Sequence, residues 1–246
     1  MDEHIVKSYD EELKFIVRRI CEMGGQAEHL VERAVNAMVK SDLAMAEAVI
    51  TDDALLDAAQ RELDERAIMT IAKRQPMARD LREIVGAIRI SNDLERIGDL
   101  GKNIAKRVIA VHDHPQPMQL VRGIEHLSEL TLQQLKEVLD AYVERDHQRA
   151  ERIRDKDEAI DAVYTSIFRE LLTYMMEDPR NISACTHLLF SAKNIERIGD
   201  HATNIAETIY YIRTGAQMGP ERPKSDRTTS IVVPPEAAGS APASEA

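Results

Sequence analysis

The segment Asn92-Asp-Leu-Glu-Arg-Ile-Gly-Asp99 returns later in the chain as Lys193-Asn-Ile-Glu-Arg-Ile-Gly-Asp200. The Glu-Arg-Ile-Gly-Asp core is identical. Asn-Ile-Ala follows at the same distance in both, beginning at Asn103 and Asn204. Upstream, Asp53-x-x-x-Asp57 corresponds to Asp157-x-x-x-Asp161, Gln75-Pro76 to Asp178-Pro179, and Asp42 to Asp146. The repeat distance is about 101–104 residues, so residues 1–111 and 118–213 read as two copies of one unit.

Working outward from the motif, the periodicity is helical. Ile90, Leu94, Ile97, Gly101, Ile104 and Val108 recur every three or four residues, as do Ile195, Ile198, Ala202, Ile205 and Ile209. Leu13, Ile16, Ile20, Met23, Ala27, Leu30, Ala34 and Met38 form the same stripe near the N-terminus. No segment shows strand alternation. Pro76 and Pro179 interrupt the helical patterns, and Pro115 and Pro117 mark a connector. Asp42 and Asp146 sit where N-caps are needed, and Ser8 with Glu11 fits a capping box. Six helices are predicted, over about 8–40, 42–74, 77–111, 118–144, 146–177 and 180–213. The fold class is all-α, two tandem similar three-helix bundles with up-down-up packing. The expected division is 1–113 and 114–214 for the bundles and 215–246 for a Pro-, Gly-, Ser- and Ala-rich disordered tail. Within that tail, Ile231-Val232-Val233 is the one short apolar run.

Composition supports a helical core. The chain has 246 residues, 43% hydrophobic, with no Trp and only three Phe. Its net charge of −11 argues against a general binder of nucleic acid or anionic membrane, which needs a basic surface. Cys21 and Cys185 lack neighbours at metal-ligand or redox spacing and read as reduced core thiols. The first twelve residues are charged from Asp2 onward and hold no signal-peptide run, and no stretch reaches membrane-span length. A cytoplasmic protein is expected.

The chemistry lies in the acids. Asp53/Asp57, Glu95/Asp99, Asp157/Asp161 and Glu196/Asp200 are all i,i+4 pairs, each on one helix face. Like charges at that spacing repel. Asp57 and Asp53 lie 19 and 23 residues before Pro76, and Glu95 and Asp99 lie 19 and 23 after it. An antiparallel hairpin therefore brings the four acids level, and the second copy behaves alike about Pro179. Measured against the apolar seam of each helix, the acids point sideways, so each cluster is expected on the bundle surface, in a groove between two helices. Asn92, Asn103 and Asn204 are expected nearby as added carbonyl ligands. Clustered oxygens suit hard cations such as magnesium, calcium, manganese or iron. The bland alternative is a solvated helix face in a chain that is 30% charged.

Other signals are thin. The only Glu-x-x-His, Glu144 to His147, straddles a helix joint, which disfavours a di-iron bundle centre. No Gly-rich phosphate loop, GxSxG or CxxC occurs. Gly98 and Gly199 cost helix propensity and point to close helix approach. Arg79, Arg82, Arg89 and Arg96 could attract an anion, but arginines on a helix surface are usually solvated or paired.

These motifs, together with Leu171-Leu-Thr-Tyr-Met-Met-Glu-Asp-Pro179, resemble the PhoU family, accessory regulators of bacterial phosphate-specific transport. The likeness spans about residues 8–213. It implies two similar three-helix bundles, frequent homodimers, no enzymatic activity, and metal bound at the acidic motifs. The ions implied are divalent or trivalent: iron, manganese, magnesium or zinc. The implied metal residues are Asp53, Asp57, Glu95, Asp99, Asp157, Asp161, Glu196 and Asp200. In the first copy Asp52 precedes Asp53, so two acids compete for one place. The implied partners are the phosphate ABC transporter ATPase and a phosphate-sensing histidine kinase, with no nucleic acid and only indirect membrane contact. The implied role is signal transduction: restraint of phosphate uptake and of the phosphate-starvation response. Two other classes stay open on the residues alone, a carboxylate-bridged metal enzyme and a metal-binding helical scaffold unrelated to phosphate.

Overall fold

The computed structural model describes residues 2–113 and 117–219. The chain is helical: α1 Asp2–Lys40, α2 Leu43–Arg74, α3 Ala78–Ala110, α4 Met118–Glu144, α5 His147–Asp155, α6 Asp157–Glu177 and α7 Ile182–Thr214. A short 3₁₀ turn, Pro179–Asn181, precedes α7. Among the described residues there is no strand. The six expected helices are all present, and the fifth is interrupted at Lys156, which separates α5 from α6.

The stops are local chemistry. Asp42 accepts a hydrogen bond from the Met45 amide at 3.0 Å, and Asp146 accepts from the amides of Gln148 and Arg149 at 3.0 and 2.9 Å. Both act as N-caps, as the sequence predicts. Gln75 closes α2 in the left-handed region at φ 49°, and Pro76 forbids continuation. Gly215, at φ 75°, closes α7 where a side chain would be strained. The predicted capping box at Ser8 is corrected: α1 begins at Asp2, so Ser8 lies inside it.

Helices α1, α2 and α3 pack on one another, and α4, α5, α6 and α7 form the second group. The groups meet through α3 against α7 and α1 against α4. The α3/α7 contact runs antiparallel. Arg107 stacks over Phe190 at 4.3 Å, Asp93 meets His201 at 2.9 Å, and Arg89 lies over Tyr211 at 5.2 Å. Ile97 of α3 and Ile198 of α7, equivalent residues of the two motifs, are both fully buried. The helices approach closely at Gly86, where an added Cβ would lie 2.4 Å from Ile212 Cδ1. The expected tail falls on 215–246; its residues 220–246, with Ile231-Val232-Val233, lie outside the described residues, as do 114–116 at the expected boundary.

Candidate metal centres at the two helical hairpins

The acids do not sit where the sequence places them. The buried stripe of α2 is Ala46, Val49, Asp53, Leu56, Ala59, Leu63, Ala67 and Thr70. Asp53 occupies a core position in that stripe rather than its flank, and is 3% exposed. Asp157, Asp161 and Glu196 are as deep, at 2%, 3% and 5%. Asp57, Glu95, Asp99 and Asp200 are half-buried. The expectation of a surface groove is therefore corrected: each cluster is sunk in the helix seam, with half-buried acids at its edge.

The glycines explain why. A Cβ on Gly98 would lie 3.2 Å from Asp53 Oδ1 and 2.4 Å from Leu56 Cδ2. On Gly199 it would lie 3.2 Å from Asp157 Oδ1, 3.3 Å from Gln134 Oε1 and 3.3 Å from Ile160 Cδ1. In both repeats the missing Cβ makes a cradle in which an aspartate lies against the neighbouring helix. Close approach is thus the reason for the two glycines, and what approaches is a carboxylate as well as a hydrocarbon.

A buried carboxylate needs compensation. In the first hairpin Lys102 supplies it. Its ammonium donates to Asp53 Oδ2, and to Asp99 Oδ1 at 2.8 Å. Burial pushes the Asp53 carboxyl above its ordinary range, with Lys102 pulling the other way. Burial, then the charge of Asp99, raises Glu95 against the pull of Arg96. Asp57 and Asp53 act on Glu95 too, so the four acids share one electrostatic neighbourhood. The hydrogen bonds to Asp53 and Asp99 raise Lys102. Asp52 is the other acid at that turn, and it pairs instead with Arg33 of α1 at 2.5 Å. Asp53 is therefore the one aimed into the seam.

The second hairpin compensates with neutral donors as well as charge. Gln134 Nε2 and Thr203 Oγ1 donate to Asp157 Oδ1 at 3.2 and 3.3 Å, and Lys193 pairs with Glu196 at 2.9 Å. Gln134 is itself buried, and its Oε1 has no hydrogen-bond partner. Lys102, Thr203 and Gln134 were missed in the sequence. The repeat alignment could have found the first pair, since Lys102 and Thr203 each stand three residues after the last acid of the motif.

Other expectations resolve individually. Asn204 is directed at Asp93 across the α3/α7 contact, 3.5 Å away, not at the acids. Asn92 accepts from Gln60 at 2.5 Å, and Asn103 is exposed. Arg79 and Arg96 pair with acids, Arg82 donates to the Ile212 carbonyl at 3.4 Å, and Arg89 stacks on Tyr211. They form no anion site. Cys21 and Cys185 are free thiols raised by burial.

Among the described residues, no three His, Cys, Asp or Glu side chains are grouped closely enough to hold a metal ion. The donor set nonetheless suits a hard cation: carboxylates in both hairpins, a glycine cradle beside each, and the partnerless amide oxygen of Gln134 in the second.

Comparison with known proteins agrees with the duplicated architecture. A family model described as the PhoU domain matches residues 20–108 and again 124–209. The chain is 67% identical over 228 residues to a "Phosphate-specific transport system accessory protein PhoU homolog" of Rhizobium meliloti, covering 93% of this chain and 96% of the relative. A homolog of the same description from Caulobacter vibrioides is 50% identical over 92% of this chain and 98% of its own length. The crystal structure of PhoU from Pseudomonas aeruginosa superposes with a TM-score of 0.79 at 36% identity, covering 85% of this chain and all of that one. The phosphate transport system regulatory protein PhoU from Streptococcus pneumoniae gives 0.80 at 26% identity, covering 86% of this chain and all of its own. With both repeats matched and two thirds of the aligned residues identical to those of one relative, the chain belongs to the PhoU family.

Proposed function

We propose that this chain is a cytoplasmic regulator of phosphate uptake and a negative regulator of the phosphate-starvation response. In this reading it is an adaptor, without enzymatic activity, between the ATPase of the phosphate ABC transporter and a sensor histidine kinase, and it works as a homodimer. One observation carries the reading. The likeness to proteins described as accessory to phosphate-specific transport runs through both repeats, at 67% identity over 93% of the chain. No helix among the described residues is long and apolar enough to cross a membrane. Membrane association is assigned to the partners. We take 1–113 and 114–214 as the two functional units.

In the same reading the acidic hairpins take metal ions. Asp53, Asp57, Glu95 and Asp99 would serve the first, and Asp157, Asp161, Glu196 and Asp200 the second. A bound cation would supply charge neutralisation and hold α2 to α3, and α6 to α7. Long helices present broad faces to a partner, and the hairpin geometry sets how those faces stand. The test is the affinity of the purified full chain for the transporter ATPase, measured with manganese and with EDTA. Binding that weakens in EDTA supports the coupled reading. Binding unaffected by EDTA removes the metal from it, and absence of binding removes the adaptor.

A further inference from the structure

Arg107 stands in the last turn of α3, half-buried, where α3 meets the first turns of α7. Its guanidinium lies over the Phe190 ring at 4.3 Å. That contact spends the face of the group and leaves its N–H donors to be matched. Nη1 lies 3.5 Å from His187 Nδ1, the outer limit of a hydrogen bond, and Nε is buried with no partner. Among the described residues no carboxylate answers it. Arg74, Arg149 and Arg180 show the ordinary arrangement, each hydrogen-bonded to an acid that raises it, Glu12, Glu144 and Asp178. Arg107 goes the other way, lowered by burial with no acid acting on it. The sequence around it agrees. In a chain with 43 acids, no Asp or Glu occurs over 100–112 or over 179–195. The carbonyl end of α3 offsets part of the charge, but its carbonyls take none of the guanidinium donors.

We propose that Arg107 and His187 form a binding site for a small tetrahedral oxyanion, of the inorganic phosphate or sulfate kind, at the seam between the two repeats. The ring of Phe190 fixes the plane of the guanidinium, so its fork is pre-organised for two parallel N–H···O bonds. His187, from the other repeat, stands beside that fork and can add a ring N–H to the same ion. Lys106, exposed next to Arg107, adds positive charge at the rim. The ion supplies the counter-charge that the acid-free stretches of α3 and α7 omit. Bound there, it ties the last turn of α3 to the first turns of α7. The site is separate from the acidic hairpins and does not depend on metal.

Calorimetric titration of the purified full chain tests this, after chelation of metal and dialysis into sodium chloride, with circular dichroism checking that each variant folds. Inorganic phosphate and sulfate should bind the wild type, and acetate more weakly. Arg107→Gln should weaken phosphate by about tenfold, the worth of a hydrogen bond to a charged group. His187→Asn should weaken it less. Arg89→Gln should leave it unchanged, because Arg89 stacks on Tyr211 with no histidine beside it. Arg107→Lys keeps the charge without the fork and should also bind less tightly; it decides the matter if Arg107→Gln does not fold. Phosphoserine separates the free ion from a phosphorylated side chain, and tighter binding of phosphoserine than of phosphate overturns the free ion as the ligand. Acetate bound as tightly as phosphate overturns the tetrahedral preference. A wild type that takes up no oxyanion at millimolar concentration overturns the site, as does phosphate binding unchanged in folded Arg107→Gln or Arg107→Lys.

Discussion

His201 Nδ1 lies 2.9 Å from Asp93 Oδ1, joining the middle of α7 to the middle of α3. Both side chains are mostly buried, at 18% and 17% exposure. The pair is not duplicated. In the other half Asn194 and Leu100 occupy the equivalent positions, so the repeats cross about the two motifs with this hydrogen-bonded contact on one side only. Asp93→Ala should cost about 1 kcal/mol, the worth of one hydrogen bond, and lower the melting temperature by about 2–4 °C. Asp93→Asn keeps an acceptor and should lose less. Thermal melts followed by circular dichroism check this; an unchanged Asp93→Ala would mean the contact does not hold the halves together.

Glycine substitutions separate packing from propensity. Gly98→Ala must displace the buried Leu56 methyl or the Asp53 carboxylate, and Gly199→Ala meets three atoms at 3.2–3.3 Å. Overpacking of this kind costs about 1–3 kcal/mol, against a propensity gain of about 1 kcal/mol. Both variants should be destabilised. Gly25 is an exposed glycine in α1 with nothing near its Cβ position, so Gly25→Ala should be stabilised by about 0.5–1 kcal/mol. Denaturant midpoints for the three variants give the comparison, and equal shifts at all three would refute the cradle.

The helix rods and the caps at Asp42 and Asp146 were legible in the sequence because each depends on local spacing. Asp42 and Asp146 start helices, and Pro76 ends one, by chemistry within four residues of themselves. The depth of Asp53 was not legible. It follows Val49 and precedes Leu56 at core spacing, and an acid there counts as flank unless one knows that Gly98 faces it from another helix. Lys102 escaped for the same reason, since its partner Asp53 lies 49 residues earlier across the hairpin. The break at Lys156 had no proline or glycine to announce it.

Acid should loosen the second half of the chain at defined points. The amide of Arg149 first, and that of Gln148, hold the Asp146 carboxyl below its ordinary value. Lys156 does the same for Glu137, and Arg180 for Asp178. A depressed folded-state value means stabilisation that is present above the unfolded value, about 4, and lost as pH falls through the folded one. Amide exchange at the start of α5 should therefore accelerate below about pH 4. Asp146→Asn should flatten that dependence, since an amide still caps but does not titrate. A dependence that persists in Asp146→Asn would assign it elsewhere.

Manganese should raise the melting temperature of the wild type, because a ligand at a hundred times its dissociation constant adds about 2.7 kcal/mol. The increment should vanish in Glu95→Gln combined with Glu196→Gln. If the double variant is stabilised as much as the wild type, the ion binds somewhere other than the acidic motifs.

The proposed restraint of the phosphate response is read directly by an alkaline phosphatase reporter. A strain lacking the chain and any second copy of it, grown with abundant phosphate, should show high activity that returns to low when the chain is restored. Low activity in the deletion strain under the same conditions would contradict the account.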